Sequence, residues 1–264
     1  TEKGYTNVIT RTREELDLVR CDEVAEFFLE EQPEYVFVAA AKVGGIKAND
    51  DYRADFIYQN LMIQTNLIHN SYQFGVKKLI FLGSTCIYPK VSPQPIREEY
   101  LMEGPLEYTN EPYAVAKIAG PKMCESYNLQ YGTNFITVMP PSLYGPGDNF
   151  NLETSHVLPA LIRKMHLGKA LEENNWRAIR NDLKTRPIEG VTGDQEKGEI
   201  LAVLKNYGVM KEIPESKPAT GGVCIEIWGT GRPHREFMWS GDLADACVYL
   251  METCNFSDIL EIRK

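Results

Sequence analysis

Several features that would place this chain in a class at once are missing from its sequence. Its 264 residues include no apolar run near the roughly twenty residues of a membrane span, and no signal-peptide pattern. The six cysteines form no CxxC pair and no Cys/His spacing typical of a metal site. We therefore expect a cytoplasmic protein with free thiols and no bound metal.

Positive charge is also scarce. The chain has 28 Lys and Arg against 37 Asp and Glu, which gives a net charge of -9. No broad basic surface is implied, so nucleic acid and anionic membranes are disfavoured as partners. A small anionic ligand needs only a local positive pocket and is not excluded.

A glycine-rich phosphate loop is the most informative absence. A doubly wound nucleotide-binding fold normally begins with a strand, a glycine-rich turn and a helix that hold a pyrophosphate. No G-x-G-x-x-G or G-x-x-G-x-x-G occurs in that context, and the first predicted strand is Val8 to Thr10. We expect the first βα unit, and a C-terminal part, to be absent from this sequence.

The remaining pattern alternates apolar strands with helices. Buried strands are predicted at 34–41, 78–83 and 133–140, and helices at 21–31, 54–74 and 111–131, with Gly75 as a helix C-cap. Apolar strands of this kind are typical of parallel sheets covered on both faces. The sequence therefore predicts an α/β fold with a doubly wound, Rossmann-like parallel sheet.

Tyr113 and Lys117 lie four residues apart in the 111–131 helix, so they project from one face. An ammonium beside a phenol favours the phenolate, and we expect Lys117 to lower the pKa of Tyr113 below about 10. Ser84 and Thr85 follow the 78–83 strand at the edge where α/β sheets bind ligands, and are candidate hydroxyl partners. By itself the Tyr–Lys pair is better explained as an ordinary pair on a helix surface.

The context of this pair resembles the extended short-chain dehydrogenase/reductase family, and most closely the branch that makes GDP-L-fucose. The resemblance is close from residue 8 to about 169 and resumes from 226 to 249. It is carried by five strings: Ala39-Ala-Ala-Lys-Val-Gly-Gly-Ile46, Phe56-Ile-Tyr-Gln-Asn60, Asn110-Glu-Pro-Tyr113, Leu143-Tyr-Gly-Pro-Gly-Asp-Asn-Phe150 and Ser155-His-Val-Leu-Pro-Ala-Leu161.

The resemblance implies an NADPH-dependent enzyme that epimerises GDP-4-keto-6-deoxy-D-mannose at C3 and C5 and reduces it at C4. It assigns the epimerising base and acid to Cys86 and His156. Tyr113 would protonate the C4 oxygen, Lys117 would hold the ribose, and Ser84 would orient the carbonyl. Judged by the residues alone, Cys86 is equally well explained as a buried thiol, and His156 is better explained as a structural residue.

The resemblance also implies binding residues and a homodimer whose four-helix interface includes the Tyr113 helix. Arg13 would contact the 2′-phosphate of NADP, although Arg11 and Arg13 could also be solvated loop residues. Lys164, Trp228 and Arg235 would contact the GDP-sugar. The full set implied for NADP(H) is Arg13, Ala40, Leu82, Gly83, Ser84, Thr85, Tyr113, Lys117, Pro140, Leu143 and His156.

Two parts of the sequence depart from the family. Pro141-Ser142 replaces the usual Thr-Asn, so a substrate-contacting Asn is missing. Residues from about 170 to 222 run longer than the family norm, and Asp194 is predicted to cap a helix through Tyr207. We interpret this stretch as a surface insertion, with a lid or a dimer contact as alternatives. The predicted domains are a cofactor domain at 1–150 and a partial substrate region at 151–264, with a returning Rossmann segment at about 223–252.

Two other functions stay open at this point. One is a related nucleotide-sugar enzyme, such as a 4,6-dehydratase or a 4-epimerase, which would need Tyr113 and Lys117 but not both Cys86 and His156. The other is a non-catalytic nucleotide-sensing or scaffold protein, which the missing glycine-rich turn favours and the intact Ser84, Tyr113 and Lys117 disfavour.

Overall fold

The computed structural model describes residues 4–211, 222–227 and 229–262, and the chain divides into two units. The first unit comprises Thr1–Val43, Asn49–Pro141 and Gly241–Lys264, and the second comprises Gly44–Ala48 and Ser142–Ser240. The helices are α1 (Cys21–Glu31), α2 (Ile46–Asp51), α3 (Arg53–Gln73), α4 (Glu111–Tyr131), α5 (Val157–Glu172), α6 (Trp176–Thr185), α7 (Lys197–Asn206), α8 (Ser240–Thr253) and α9 (Phe256–Ile262). The strands are β1 (Tyr35–Val38), β2 (Lys78–Leu82), β3 (Phe135–Val138), β4 (Ser142–Tyr144), β5 (Val209–Met210), β6 (Cys224–Ile225) and β7 (Phe237–Trp239).

The first unit is built on a parallel sheet in the order β1-β2-β3. Leu79 and Phe81 pack with α1, α3 and α4, and Ile80 points to the opposite face because side chains alternate along a strand. All three side chains are fully buried, so both faces of β2 are covered. This confirms an α/β fold with a parallel sheet of the predicted kind.

The ends of the long helices agree with the sequence prediction. α4 has Pro112 in its first turn and ends at Tyr131, and the following Gly132, its C-cap, has a φ of 69°. α3 ends at Gln73; Gly75, two residues later, also has a positive φ, and the Val76 N–H donates to the Ser71 carbonyl in the pattern of a Schellman cap. α1 has the predicted bounds.

The start of the chain differs from the prediction. Val8 to Thr10 form no strand, and the Val8 side chain is 56% exposed. β1 is less buried than expected, with Tyr35 and Phe37 about half exposed. The exposure of β1 follows from the first difference, because within the described residues no strand pairs with its outer edge.

In its described residues, the second unit contains two small sheets together with α5, α6 and α7. β4 pairs with β7 in parallel, and β5 pairs with β6 antiparallel. Its hydrophobic core is contributed by α5, α6, α7 and β5, chiefly Leu167, Leu171, Ile179, Leu183, Ile200, Leu204 and Val209. The stretch after residue 170, predicted to be a surface addition, is therefore an integral part of this core.

The predicted cap of the last helix in this stretch is wrong. α7 begins at Lys197 with Glu196 at the N-cap, and Asp194 does not cap it. The reason is local, because the Gln195 side chain accepts hydrogen bonds from the backbone N–H groups of Thr192 and Gly193. Residues 192–195 therefore form a turn of their own.

Among the helices that the structure describes, none has the length and apolar character needed to cross a membrane.

Candidate active site

The three parallel strands of the first unit end at a common edge, and predicted cofactor residues follow each of them. Val38 pairs with Phe81, and Leu82 pairs with Val138. Gly83 comes directly after β2, and Ala40 and Pro140 lie two residues beyond the ends of β1 and β3. This places them, together with Leu82, Ser84 and Thr85, at the carboxyl edge of the sheet, where ligands bind in open α/β folds.

Gly83 lies at a crowded point of this edge, where a larger residue would displace the Met139 side chain. Its N–H donates to the Val138 carbonyl at 2.8 Å. A Cβ at Gly83 would lie 2.3 Å from the Met139 sulfur, which is closer than atoms can approach. The chain then turns into a short 3₁₀ helix at Thr85–Ile87, where Ser84 Oγ accepts a hydrogen bond from the Cys86 N–H at 3.3 Å.

Ser84, Cys86 and Tyr113 form one polar cluster. Burial raises the pKa of Tyr113 to about 12, a negative charge on Cys86 would raise this pKa further, and a hydrogen bond with the Ser84 side chain opposes the rise. The phenol is therefore protonated at neutral pH and can serve as a proton donor. Its ring also packs edge-to-face against Phe56 at 6.5 Å.

The prediction that Lys117 lowers the pKa of Tyr113 is wrong for this structure. The Lys117 Nζ donates to the Leu82 carbonyl at 2.9 Å and lies 4.7 Å from the centroid of the Phe81 ring. Burial of the phenol outweighs any stabilisation of the phenolate. Burial also lowers the pKa of Lys117 to about 8, which leaves it mostly charged at neutral pH.

The loop after β1 is fixed by a residue that the sequence prediction missed. Asn60, on α3, accepts a hydrogen bond from the Lys42 N–H at 2.9 Å and donates to the Lys42 carbonyl at 3.1 Å. It is almost fully buried, and its amide also donates to the Phe56 carbonyl. In the sequence, Asn60 is one of several polar residues on α3, and nothing in the pattern reveals its partner.

Arg13 lies in the exposed turn before α1 and forms no salt bridge within the described part of the chain. The neighbouring Arg11 is already paired with Glu31 and stacks on Phe27. Of the two arginines, Arg13 is thus the one available to an anionic group.

The other predicted site residues belong to the second unit. His156 is the exposed N-cap residue of α5 and makes no side-chain capping bond, and Leu143 lies in β4. Lys164 lies on α5 and is buried, which lowers its pKa, while the nearby Glu226 carboxylate opposes this shift. Arg235 is exposed and donates to the His234 carbonyl at 2.8 Å. Trp228 lies outside the described residues.

The structure thus brings together Ser84, Cys86, Tyr113 and Lys117 in the first unit, and Lys164 with Glu226 in the second. The predicted partnership of Cys86 with His156 joins the two units and stays a prediction. Among the described side chains, no group of three or more His, Cys, Asp or Glu residues could hold a metal ion.

Comparison with known proteins identifies the family of the chain. Residues 1–185 match the model of the NAD dependent epimerase/dehydratase family. GDP-L-fucose synthase 1 of Arabidopsis thaliana is 47% identical over 251 residues, which are 95% of this chain and 62% of that protein. The chain therefore spans less than two thirds of the length of this relative.

Solved structures with similar folds include two heptose enzymes of Campylobacter jejuni. A GDP-D-glycero-L-gluco-heptose synthase, crystallised in the presence of NADPH, is 47% identical with a TM-score of 0.88, covering 100% of this chain and 71% of its own. A GDP-6-OMe-4-keto-L-xylo-heptose reductase is 48% identical with a TM-score of 0.86, covering 97% and 68%. The family model matches well over half of the chain, and the chain therefore belongs to the NAD dependent epimerase/dehydratase family.

Proposed function

We propose that the protein containing this chain uses NADPH to convert GDP-4-keto-6-deoxy-D-mannose into GDP-L-fucose, by epimerisation at C3 and C5 and reduction at C4. The observation that carries the proposal is the cluster of Ser84, Cys86 and Tyr113 at the carboxyl edge of the sheet, with Lys117 beside it. The 47% identity with a plant GDP-L-fucose synthase supports the same substrate.

The residues at the sheet edge fit a nicotinamide dinucleotide. Gly83 presents backbone without a side chain, the Lys117 ammonium suits ribose hydroxyls, and the exposed Arg13 guanidinium suits a 2′-phosphate. When bound, NADPH supplies the hydride that reduces the C4 carbonyl.

The residues of this chain would handle the protons. The 4-keto group acidifies the protons on C3 and C5, because the resulting carbanion is delocalised as an enolate. Cys86 and His156 act as the base that removes each proton and the acid that returns one to the opposite face. Tyr113, which is protonated at neutral pH, then donates its proton to the C4 oxygen as the carbonyl becomes an alcohol.

The proposal is tested with the full-length protein, GDP-4-keto-6-deoxymannose and NADPH. Consumption of NADPH is followed by absorbance, and the product is identified by chromatography against GDP-L-fucose. We expect GDP-L-fucose from the wild type and at least a hundredfold lower rate from Tyr113→Phe. Saturable NADPH binding without turnover of any GDP-4-keto sugar would instead favour a non-catalytic nucleotide-binding protein.

A second candidate function is C4 reduction of a GDP-4-keto-heptose. It is favoured by the 48% identity with a heptose reductase and by Ser142, which stands where the fucose branch has Asn. The same assay with GDP-4-keto-heptoses separates the two candidates, since the preferred substrate has the higher kcat/KM.

We also propose that the protein is cytoplasmic and forms a homodimer through α3 and α4. Tyr58, on α3, and Val115 and Leu129, on α4, are exposed apolar side chains that support such an interface. Light scattering of the full-length protein should give twice the mass of the chain, and Val115→Glu should reduce it to the mass of a monomer.

A further inference from the structure

The ammonium of Lys117 lies over an aromatic ring whose position depends on a glycine. Phe81 is fully buried in β2, and its ring centroid is 4.7 Å from the Lys117 Nζ. On the next turn of α4, a Cβ at Gly120 would lie 2.4 Å and 2.5 Å from two atoms of that same ring. The ring therefore occupies space that any larger residue at position 120 would take.

The contact has a physical consequence because Lys117 is buried. Among the described residues, the one hydrogen-bond partner of the ammonium is the Leu82 carbonyl at 2.9 Å, and burial disfavours the charged form of Lys117. The face of an aromatic ring carries negative charge density, and its attraction for a cation grows when water is removed. Phe81 thus offsets part of the cost of holding a charge in this place.

We propose that Phe81 is a positioning residue of the active site, whose ring face holds the Lys117 ammonium at the Leu82 carbonyl, and that Gly120 makes room for this ring. One part of this proposal, that Lys117 binds the cofactor, rests on the function proposed above. The contact itself is a property of the folded chain and can be measured without substrate.

Other titratable groups on the elements around α4 do not account for the state of Lys117, because burial is the cause of its lowered pKa. The 3₁₀ helix after β2 contributes Cys86, and β3 contributes none. Besides Lys117, α4 itself carries Glu111, Tyr113, Lys122, the buried Cys124, Glu125, Tyr127 and Tyr131. Most charged or titratable groups of α3 and β2 interact with other partners. These pairs are Arg53 with Glu111, Asp55 with Lys42, His69 with Tyr127, and Lys78 with two backbone carbonyls of α8.

The test compares Phe81→Leu with Phe135→Leu in the full-length protein. Phe135 is an equally buried phenylalanine on the neighbouring strand, so both variants lose a core ring, but only Phe81 contacts Lys117. The pKa of Lys117 is followed by NMR of protein labelled with ¹³C at the lysine Cε, assigned with Lys117→Met. Phe81→Met, which nearly preserves volume, serves as a second variant if Phe81→Leu folds poorly.

Loss of the ring should lower the pKa of Lys117 by about half to one and a half units. Phe135→Leu should leave it unchanged. In the enzyme assay, the alkaline limb of the kcat/KM–pH profile should shift to lower pH by the same number of pH units, and only in the Phe81 variants. Equal pKa values for Lys117 in wild type, Phe81→Leu and Phe81→Met would overturn the proposal, whereas a wild type without turnover would overturn only the proposed function.

Discussion

The buried ion pair between Arg163 and Asp182 gives a quantitative test of the second unit. Arg163 lies on α5, and its Nε and Nη2 donate to Asp182 Oδ2, on α6, at 2.9 Å and 2.8 Å. Its Nη1 donates to the Phe150 carbonyl at 3.0 Å, and Nη2 also donates to the Arg186 carbonyl. The two side chains are 2% and 10% exposed, so water cannot replace the carboxylate if it is removed.

Asp182→Ala leaves the guanidinium buried without a counter-charge, and such a change costs about 3–5 kcal/mol of unfolding free energy. Urea unfolding of the full-length protein, followed by circular dichroism and tryptophan fluorescence, measures this loss. The matched control is Glu172→Ala, which removes one carboxylate from the exposed Lys169 and should cost about 0–1 kcal/mol. If Asp182→Ala cost no more than Glu172→Ala, the view that α6 is integral to the core would be refuted.

A double replacement separates the charge from the packing. In Arg163→Leu/Asp182→Leu both charges are removed together, and replacing a buried pair by apolar residues is often close to neutral. We expect this variant to be more stable than Asp182→Ala, although less stable than the wild type, because the Phe150 and Arg186 carbonyls lose their donor. If the double variant were less stable than Asp182→Ala, the unpaired charge would not be the main cost of removing Asp182, and the prediction would be wrong.

Further predictions concern glycines, pH and the phenol. Gly132→Ala should lower the free energy of unfolding by about 1 kcal/mol, because residue 132 has a φ of 69°. Gly198→Ala, where a Cβ would meet open space within α7, should raise the free energy of unfolding by about 0.5–1 kcal/mol. The midpoints of urea unfolding measure both changes. Because the pKa of Lys117 is about 8 when folded and 10.5 when unfolded, the unfolded chain binds more protons between these values, and this group's contribution to stability rises with pH there. Lys117→Met should therefore be more stable than wild type at neutral pH, by about 3 kcal/mol at most, and this advantage should shrink between pH 8 and 10.5 in thermal denaturation. Tyr113→Phe should lower kcat about 10²- to 10⁴-fold with little change in thermal midpoint, and an unchanged kcat would remove Tyr113 from the mechanism.

The local features of the fold were predictable because their signals are local. Pro112 and Gly132 mark the two ends of α4, and Gly75 marks the end of α3. The apolar strand before Gly83 likewise indicates a buried parallel strand. Features that depend on a partner distant in the sequence were not predictable, such as the missing pairing of Val8 to Thr10.

The same distinction applies to the candidate site. The spacing of Tyr113 and Lys117 predicts that they share a helix face, but not that burial sets the pKa of each. Lys117 contacts Phe81 and Leu82, which lie 36 and 35 residues earlier. The Asn60 side chain is hydrogen-bonded to the Lys42 backbone, and no periodicity or spacing in the sequence predicts this contact. The contacts of Lys117 and Asn60 arise from tertiary packing, which cannot be predicted from the local pattern of a single sequence.

The central claim is that the edge carrying Ser84, Cys86 and Tyr113 performs epimerisation as well as reduction. The most direct measurement is the exchange of substrate hydrogen for deuterium in deuterium oxide, without NADPH, followed by NMR of GDP-4-keto-6-deoxymannose. The full-length wild type should incorporate deuterium at C3 and C5, and Cys86→Ser should lose most of this exchange while still binding NADPH. A wild type that reduces the ketone without incorporating deuterium at either carbon would contradict the claim and leave a C4 reductase.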